Sequence, residues 1–250
     1  MKGMILAAGL GTRLRPLTEK RPKALIKVGD YMMLDLAIAY FIKHGIRDII
    51  INVNHFADQI MEYVAQKRWE GFNLEISDET SGLLNTGGGM KKASWFFEGE
   101  ENFVLMAVDI LTDLDLTAMV NHHRNMGALV TLAVKERNTS RDLLFDGNGS
   151  LAGWKHNESG EVKEVKGKKA SRGYGFSGIH VINTSLFSKI NEEGAFSIID
   201  LYLRLAVNEK INAFDHTGGG WIEFGRTENI KNAKDSKEFV ELVQKLKEKA

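Results

Sequence analysis

There is no cysteine among the 250 residues of this chain. That excludes disulfides, thiolate metal sites and a cysteine nucleophile. Only two prolines occur, Pro16 and Pro22, and both fall in one short stretch. No proline-rich linker, repeat or low-complexity tract divides the chain. Net charge is also lacking, with 33 basic and 33 acidic residues in balance. A neutral chain argues against nucleic acid or an anionic membrane as the main partner. No apolar run approaches the roughly 20 residues needed to span a bilayer. Met1-Lys2 leads straight into Met4-Ile5-Leu6-Ala7-Ala8, without a signal-type apolar segment. The expectation is a soluble cytoplasmic protein, monomer or homodimer, with no nucleic-acid or membrane partner.

What is present is a core. Apolar residues make up 43% of the chain and charged residues 26%, which suits a folded domain and not a disordered one. Met4–Ala8 and Phe103–Val108 are short continuous apolar runs, and Ile49–Val53 is one interrupted only by Asn52, the pattern of buried parallel strands. Leu74–Ile76 and Leu129–Val134 add further strands. Between them, apolar residues recur at helical spacing: Leu34, Ala37, Ile38, Phe41 and Ile42, stopping near Gly45; then Ile60, Tyr63 and Val64; then Leu116, Met119, Val120 and His123. Thr86-Gly87-Gly88-Gly89 opens a helix expected to run through Phe97. The alternation predicts an α/β fold, a Rossmann-like, mixed and mostly parallel sheet flanked by helices. After Asn138 the pattern changes. A hairpin is expected around Phe145–Leu151, a glycine-interrupted strand at Gly175–Ile182, a helix at Ile198–Val207, a short strand at Trp221–Phe224 and one charged helix from Thr227 to Lys249. The expected organisation is a single domain over 1–250. Residues 1–137 form one half, 138–226 a second half, of which 138–220 is expected to close over the sheet edge, and 227–250 a terminal helix.

The segment from Leu6 to Leu25, LAAGLGTRLRPLTEKRPKAL, stands apart. Between Leu10 and Lys27 it carries six basic residues (Arg13, Arg15, Lys20, Arg21, Lys23, Lys27) and one acid, Glu19. Gly9 and Gly11 follow a strand as in a dinucleotide-binding turn, but Leu14 stands where the third glycine of that fingerprint would be. A phosphate-binding G-x-x-x-x-G-K-[ST] loop is absent as well. Glycines let backbone N–H groups approach an anion, Arg13 offers a planar fork for phosphate oxygens, and Lys23 a point charge. Polyphosphate is the chemistry that fits. Asp109 ends an apolar strand, where ligands of open α/β sheets bind, and a carboxylate there can hold Mg²⁺. Asp113 and Asp115 are the competing candidates for a plain helix cap. Three glycines in a helix start suggest close approach of a flat group, and Gly178 inside a strand suggests a bulge or a nearby ligand. The pair His122-His123 reads as surface on a polar helix face, and Trp221 as a packing residue.

These residues resemble the signature of the sugar-1-phosphate nucleotidyltransferase family. The resemblance covers nearly the whole chain: the glycine-rich loop, Thr86–Gly89, Asp109 after a strand, Phe176-Ser177-Gly178-Ile179 and Trp221-Ile222-Glu223. It is nearest to short members without a C-terminal β-helix, which use GTP or UTP with mannose-, heptose- or N-acetylmuramate-type 1-phosphates. The resemblance implies transfer of a nucleotidyl group from an NTP to a sugar 1-phosphate. It assigns Leu6, Ala8, Gly9, Gly11, Thr12 and Arg13 to the nucleotide, the last four to its phosphates, and Thr86, Gly87 and Gly88 to the nucleobase. Arg13, Lys23 and Asp109 are its catalytic residues, Glu164, Lys166 and Gly178 its sugar-phosphate residues, and Asp109 with Glu223 its Mg²⁺ ligands. The family's pattern has glycine where Val108 stands, aspartate where Glu223 stands, and threonine where Arg226 stands. Those departures keep open a nucleotide-sugar sensor without turnover. A phosphocholine cytidylyltransferase-like relative and a nicotinamide-dependent oxidoreductase are the other readings, the last opposed by Leu14.

Overall fold

A computed structural model describes residues 1–67, 71–233 and 236–248. The chain begins with β1 (Gly3–Leu6), a long loop, the short hairpin β2 (Lys27–Val28) and β3 (Tyr31–Met32), and α1 (Met33–Lys43). Then come β4 (Asp48–Val53), α2 (Ala57–Gln66), β5 (Asn73–Asp78), α3 (Asn85–Lys92), β6 (Asn102–Ala107), β7 (Ile110–Thr112) and α4 (Leu116–Met126). The second half holds β8 (Val130–Lys135), β9 (Arg141–Phe145), β10 (Leu151–His156), β11 (Val162–Glu164) and β12 (Arg172–Asn183). It ends with α5 (Ile198–Leu205), β13 (Ile211–Asp215), β14 (Trp221–Glu223), α6 (Thr227–Ala233) and α7 (Lys237–Lys247).

Ten strands form one mixed sheet in the order β11-β10-β9-β12-β6-β1-β4-β5, with β8 on β12 and β13 on β8. The strands β6, β1, β4 and β5 are mutually parallel. Their apolar runs are buried because helices cover both faces. Met4, Ile50 and Leu105 face one core cluster, and Ile5, Ile49, Ile51, Val104 and Met106 face the other. β12 is the spine of the second half. Its last residues pair with β6, its first with β9, and its other edge with β8, where the register breaks between Phe176 and His180. Residues 138–220 therefore extend the sheet itself, where the pattern led us to expect a unit closing over its edge.

The chain leaves β1 toward β4 and β5 on one side and returns to β6 on the other. The carboxyl ends of β1 and β6 thus flank the point where strand order reverses, and a crevice forms there in open α/β sheets. The loop after β1 packs on that edge. Leu14 is fully buried in a third cluster with Val28, Met33, Leu36, Leu111, Phe224 and the α7 residues Phe239, Leu242 and Val243. The leucine that breaks the dinucleotide fingerprint is therefore the loop's apolar anchor.

Three expectations need correction. The helix from Thr86 stops at Lys92, and Ser94–Phe97 is a separate 3₁₀ turn. The terminal helix is two helices, because the Ser236 side chain accepts from the Phe239 N–H and starts α7 anew. His123 is not at the surface. It is buried between α4 and the sheet, with Nδ1 2.9 Å from Thr131 Oγ1 and Nε2 3.0 Å from Asn102 Oδ1. His180 is buried too, 2.9 Å from the Tyr202 hydroxyl. Burial pushes these imidazoles down, to about 4 at His123 and about 3 at His180.

Below pH 6.5 the unfolded chain takes up a proton at position 123 that the folded chain refuses until about pH 4, so stability falls with pH across that window. His123→Gln is expected to remove about 1.4 kcal/mol per pH unit from that slope, read from urea midpoints between pH 7 and 4. An unchanged slope would show that the imidazole protonates freely in the fold.

Candidate active site

The glycine-rich loop starts where β1 ends. Gly11 has a left-handed backbone (φ 62°), and its carbonyl accepts from the Thr18 hydroxyl at 2.8 Å. A Cβ there would lie 2.8 Å from Thr18 Cγ2, so the loop folds back on itself only with glycine. Thr12–Leu14 and Lys23–Leu25 form 3₁₀ turns, the first exposing Thr12 and Arg13 while Leu14 stays inside. Gly9 is exposed with open space around it. Leu6 is half-buried and Ala8 buried.

Two ion pairs cross from this loop to the carboxylates. Lys23 Nζ contacts Asp109 Oδ2, both side chains being largely buried. Arg13 Nη2 lies 3.4 Å from Glu223 Oε1, with the arginine mostly exposed. Asp109 and Glu223 come from neighbouring segments. β14 pairs with β7 in antiparallel register, Glu223 opposite Ile110, and the Phe224 N–H donates to the Asp109 carbonyl at 2.8 Å. Asp109 is free of capping duty, because Asp115 accepts from the Ala118 N–H at 2.9 Å and caps α4. Asp113 bonds the Gly220 N–H and pairs with Lys245. Five of the residues singled out in the sequence (Gly11, Arg13, Lys23, Asp109, Glu223) are thus brought to one crevice.

Behind the loop lies a buried chain of hydrogen bonds. The Ala7 N–H donates to Asn52 Oδ1 at 2.7 Å, and Asn52 Nδ2 donates to Glu79 Oε1 at 2.7 Å. Glu79 Oε2 accepts from the Leu84 N–H at 3.2 Å. Glu79 is fully buried, and burial pushes its carboxyl above the usual range against those two donors. Sequence reasoning passed over both residues. Asn52 interrupts an apolar run and was the one visible signal; Glu79 gave none.

The three glycines of α3 are explained by their neighbours. A Cβ at Gly87 would lie 2.3 Å from the Phe196 ring, one at Gly88 2.3 Å from the Gly194 carbonyl, and one at Gly89 2.5 Å from Glu79 Oε1. The flat group that approaches Gly87 is the protein's own phenyl ring. Thr86 is exposed, and its hydroxyl accepts from the Ile198 N–H at 3.0 Å.

The expected sugar-phosphate residues are not brought together. Gly178 has a left-handed backbone (φ 78°) at the β12 register break, and a Cβ there would lie 3.0 Å from Ile110 Cγ1, beside Asp109. Glu164 and Lys166 are exposed on and just after β11, and four strands separate β11 from β1. Trp221 is held by its Nε1, which donates to the Ser177 carbonyl at 3.0 Å, and the Arg137 guanidinium lies 4.2 Å from its ring centroid. His216 Nε2 is 2.7 Å from Ser177 Oγ, and burial with the Lys135 charge pushes this imidazole down to about 4. Among the described residues no helix is long and apolar enough to cross a membrane.

The model of the nucleotidyl transferase family matches residues 2–238. The chain is 29% identical over 243 residues to an N-acetylmuramate alpha-1-phosphate uridylyltransferase of Neisseria meningitidis, covering 93% of this chain and 96% of that one. It is 35% identical over 144 residues to a UTP–glucose-1-phosphate uridylyltransferase of Synechocystis sp., covering 54% of this chain and 37% of that enzyme. The chain thus spans little more than a third of the cyanobacterial enzyme's length. Its fold matches the inositol-1-phosphate CTP transferase of T. maritima with a TM-score of 0.76 at 16% identity, covering 99% of this chain and 96% of that one.

Glu79→Gln sets an NH₂ group against one of the two donors. It is expected to cost about 1–3 kcal/mol, measured by urea unfolding. A neutral result would mean that the buried carboxyl is already protonated or water-bridged.

Proposed function

The chain belongs to the nucleotidyl transferase family, and we propose that it transfers a nucleotidyl group from an NTP to a sugar 1-phosphate, giving an NDP-sugar and pyrophosphate. The observation that carries this reading is the pairing of Lys23 with Asp109 and of Arg13 with Glu223 across the crevice at the strand-order reversal. The neisserial relative, matched over nearly its full length, supports UTP with an N-acetylmuramate-type acceptor as the first pair to try; GTP with a mannose- or heptose-type acceptor, which the sequence resemblance implies, is the second.

In that reaction an oxygen of the sugar 1-phosphate attacks the α-phosphorus, and the bond to pyrophosphate breaks. The second pKa of a phosphate monoester is about 6, so the nucleophile is already ionised at neutral pH and needs no general base. What the protein must do is hold two anions together and neutralise charge. Arg13 and Lys23 are suited to this. Each cation is balanced by a carboxylate in the free protein and can turn to phosphate oxygens. Gly9 and Gly11 let the loop backbone come close to the nucleotide phosphates. Of the α3 segment, Thr86 is the residue exposed toward a base, since Phe196 and the Gly194 carbonyl occupy the space beside Gly87 and Gly88.

Asp109 and Glu223 fit a hard divalent cation, Mg²⁺, in donor type. Among the described residues they come as a pair and not in a cluster of three or more acidic or histidine ligands. Mg²⁺ takes one or two carboxylates and completes its shell with phosphates and water. Bound there, it would draw charge off the phosphate oxygens.

Pyrophosphate release with four NTPs against a panel of sugar 1-phosphates tests the reading, after a thermal-shift screen for binding. Arg13→Ala and Asp109→Ala are each expected to lower the rate by about 100-fold or more. Full activity in either would overturn its assignment. Nucleotide binding with no turnover of any pair would make the protein a sensor instead.

A further inference from the structure

Arg137 is a cation without a carboxylate. It follows β8 beside the register break of β12. Its Nη2 donates to the Phe176 carbonyl at 2.8 Å, and its Nε is buried without a partner. Among the described residues it forms no ion pair. The nearest carboxylates in electrostatic terms, Glu223 and Asp142, support its charge, while burial opposes it. Each is engaged elsewhere: Glu223 with Arg13, Asp142 with Asn157 Nδ2 at 2.8 Å.

The guanidinium is nevertheless held in place. Its Cζ lies 4.2 Å from the centroid of the Trp221 ring, and that ring is fixed through its own N–H to the Ser177 carbonyl. Gly175 makes room for it, since a Cβ there would lie 2.9 Å from Arg137 Cγ and Nε. Trp221 and Glu223 are two apart on β14 and so share a face. Arg137 therefore stands on the face of β14 that also presents Glu223, the partner of Arg13. A half-buried, preorganised guanidinium with donors to spare is built to receive an oxyanion.

Resting on the reading above, we propose that Arg137 binds an anionic group of the acceptor, its 1-phosphate, from the side of Glu223 opposite Arg13. The nucleotide phosphates meet the loop, and the acceptor anion meets β12 and β14. Arg137 is then a residue that selects and positions the second substrate, one that no motif in the sequence marks.

The test is the division of kinetic effects in Arg137→Gln, which keeps a donor for the Phe176 carbonyl, and Arg137→Lys, which keeps the charge. Both acceptor KM and NTP KM are measured with N-acetylglucosamine 1-phosphate and with N-acetylmuramate 1-phosphate, which adds a carboxylate. The expected result in Arg137→Gln is an acceptor KM raised about 10- to 100-fold, an NTP KM within about twofold, and partial recovery in Arg137→Lys. Equal losses with both acceptors identify the phosphate as the bound anion. A loss confined to N-acetylmuramate 1-phosphate identifies the carboxylate and overturns the phosphate assignment. An unchanged acceptor KM, or equal rises in both KM values, overturns the inference. If the wild type turns over no pair, the proposed function fails, and the inference is read from binding alone. Titration with glucose 1-phosphate should change tryptophan emission in the wild type and not in Arg137→Gln or Trp221→Phe. The same emission change in all three, or none in the wild type, overturns it.

Discussion

The crevice depends on a buried carboxylate. Glu79, just after β5, receives Asn52 on one oxygen and the Leu84 N–H on the other, while Asn52 holds the Ala7 N–H. Through this chain the exit of β1, the end of β4 and the approach to α3 become one rigid frame. An ionisable group this deep is costly unless its lone pairs are satisfied. The cost enforces geometry, since any shift of β1 relative to α3 would strand a donor or an acceptor in a dry interior. Gly89 belongs to the same arrangement, because a side chain there would displace Glu79.

On that frame the charges alternate. Lys23 meets Asp109, Arg13 meets Glu223, and Arg137 has no ion-pair partner among the described residues. Pairing lets these carboxylates and cations fold beside one another in the absence of substrate, since Lys23 and Arg13 each meet a counter-charge. The same pairs are exchangeable. In the proposed reaction phosphate oxygens would compete for the cations and a hard cation for the carboxylates, so bound substrates would replace internal pairs without leaving these charges bare. Arg137 differs in having no ion pair to give up, which is why it is proposed as a standing receptor and not an exchange partner.

Much of the fold was legible. The apolar runs at Met4, Ile49 and Phe103 and the helical spacing at Leu34–Ile42 became β1, β4, β6 and α1, because each element buries its apolar residues as a periodic set. What escaped was set by contacts between distant segments. β7, β11 and β13 are short strands with little pattern of their own, stabilised by the partners they meet. His123 was misread because its polar neighbours on α4 suggested an exposed face, while Thr131 and Asn102 supply the hydrogen bonds that permit burial. Ser236 was passed over as a cap inside an otherwise continuous amphipathic pattern. Glu164 and Lys166 lie near the right strand in sequence but far from the crevice in the sheet.

The sequence by itself determined the basic, glycine-rich loop, its cations and the carboxylate that follows β6, because glycines, arginines and a strand end act locally. It also determined that Leu14, and not a glycine, fills the third position of the loop. Only the tertiary structure decided why. Leu14 packs against Phe224 and Phe239 from the far end of the chain, and that apolar contact pins the loop over the crevice. The tertiary structure alone also decided that Glu79 carries the frame and that Arg137 lies on Trp221. Both depend on segments brought together across the sheet, and no local spacing encodes which buried charge will find a partner and which will be left for a ligand.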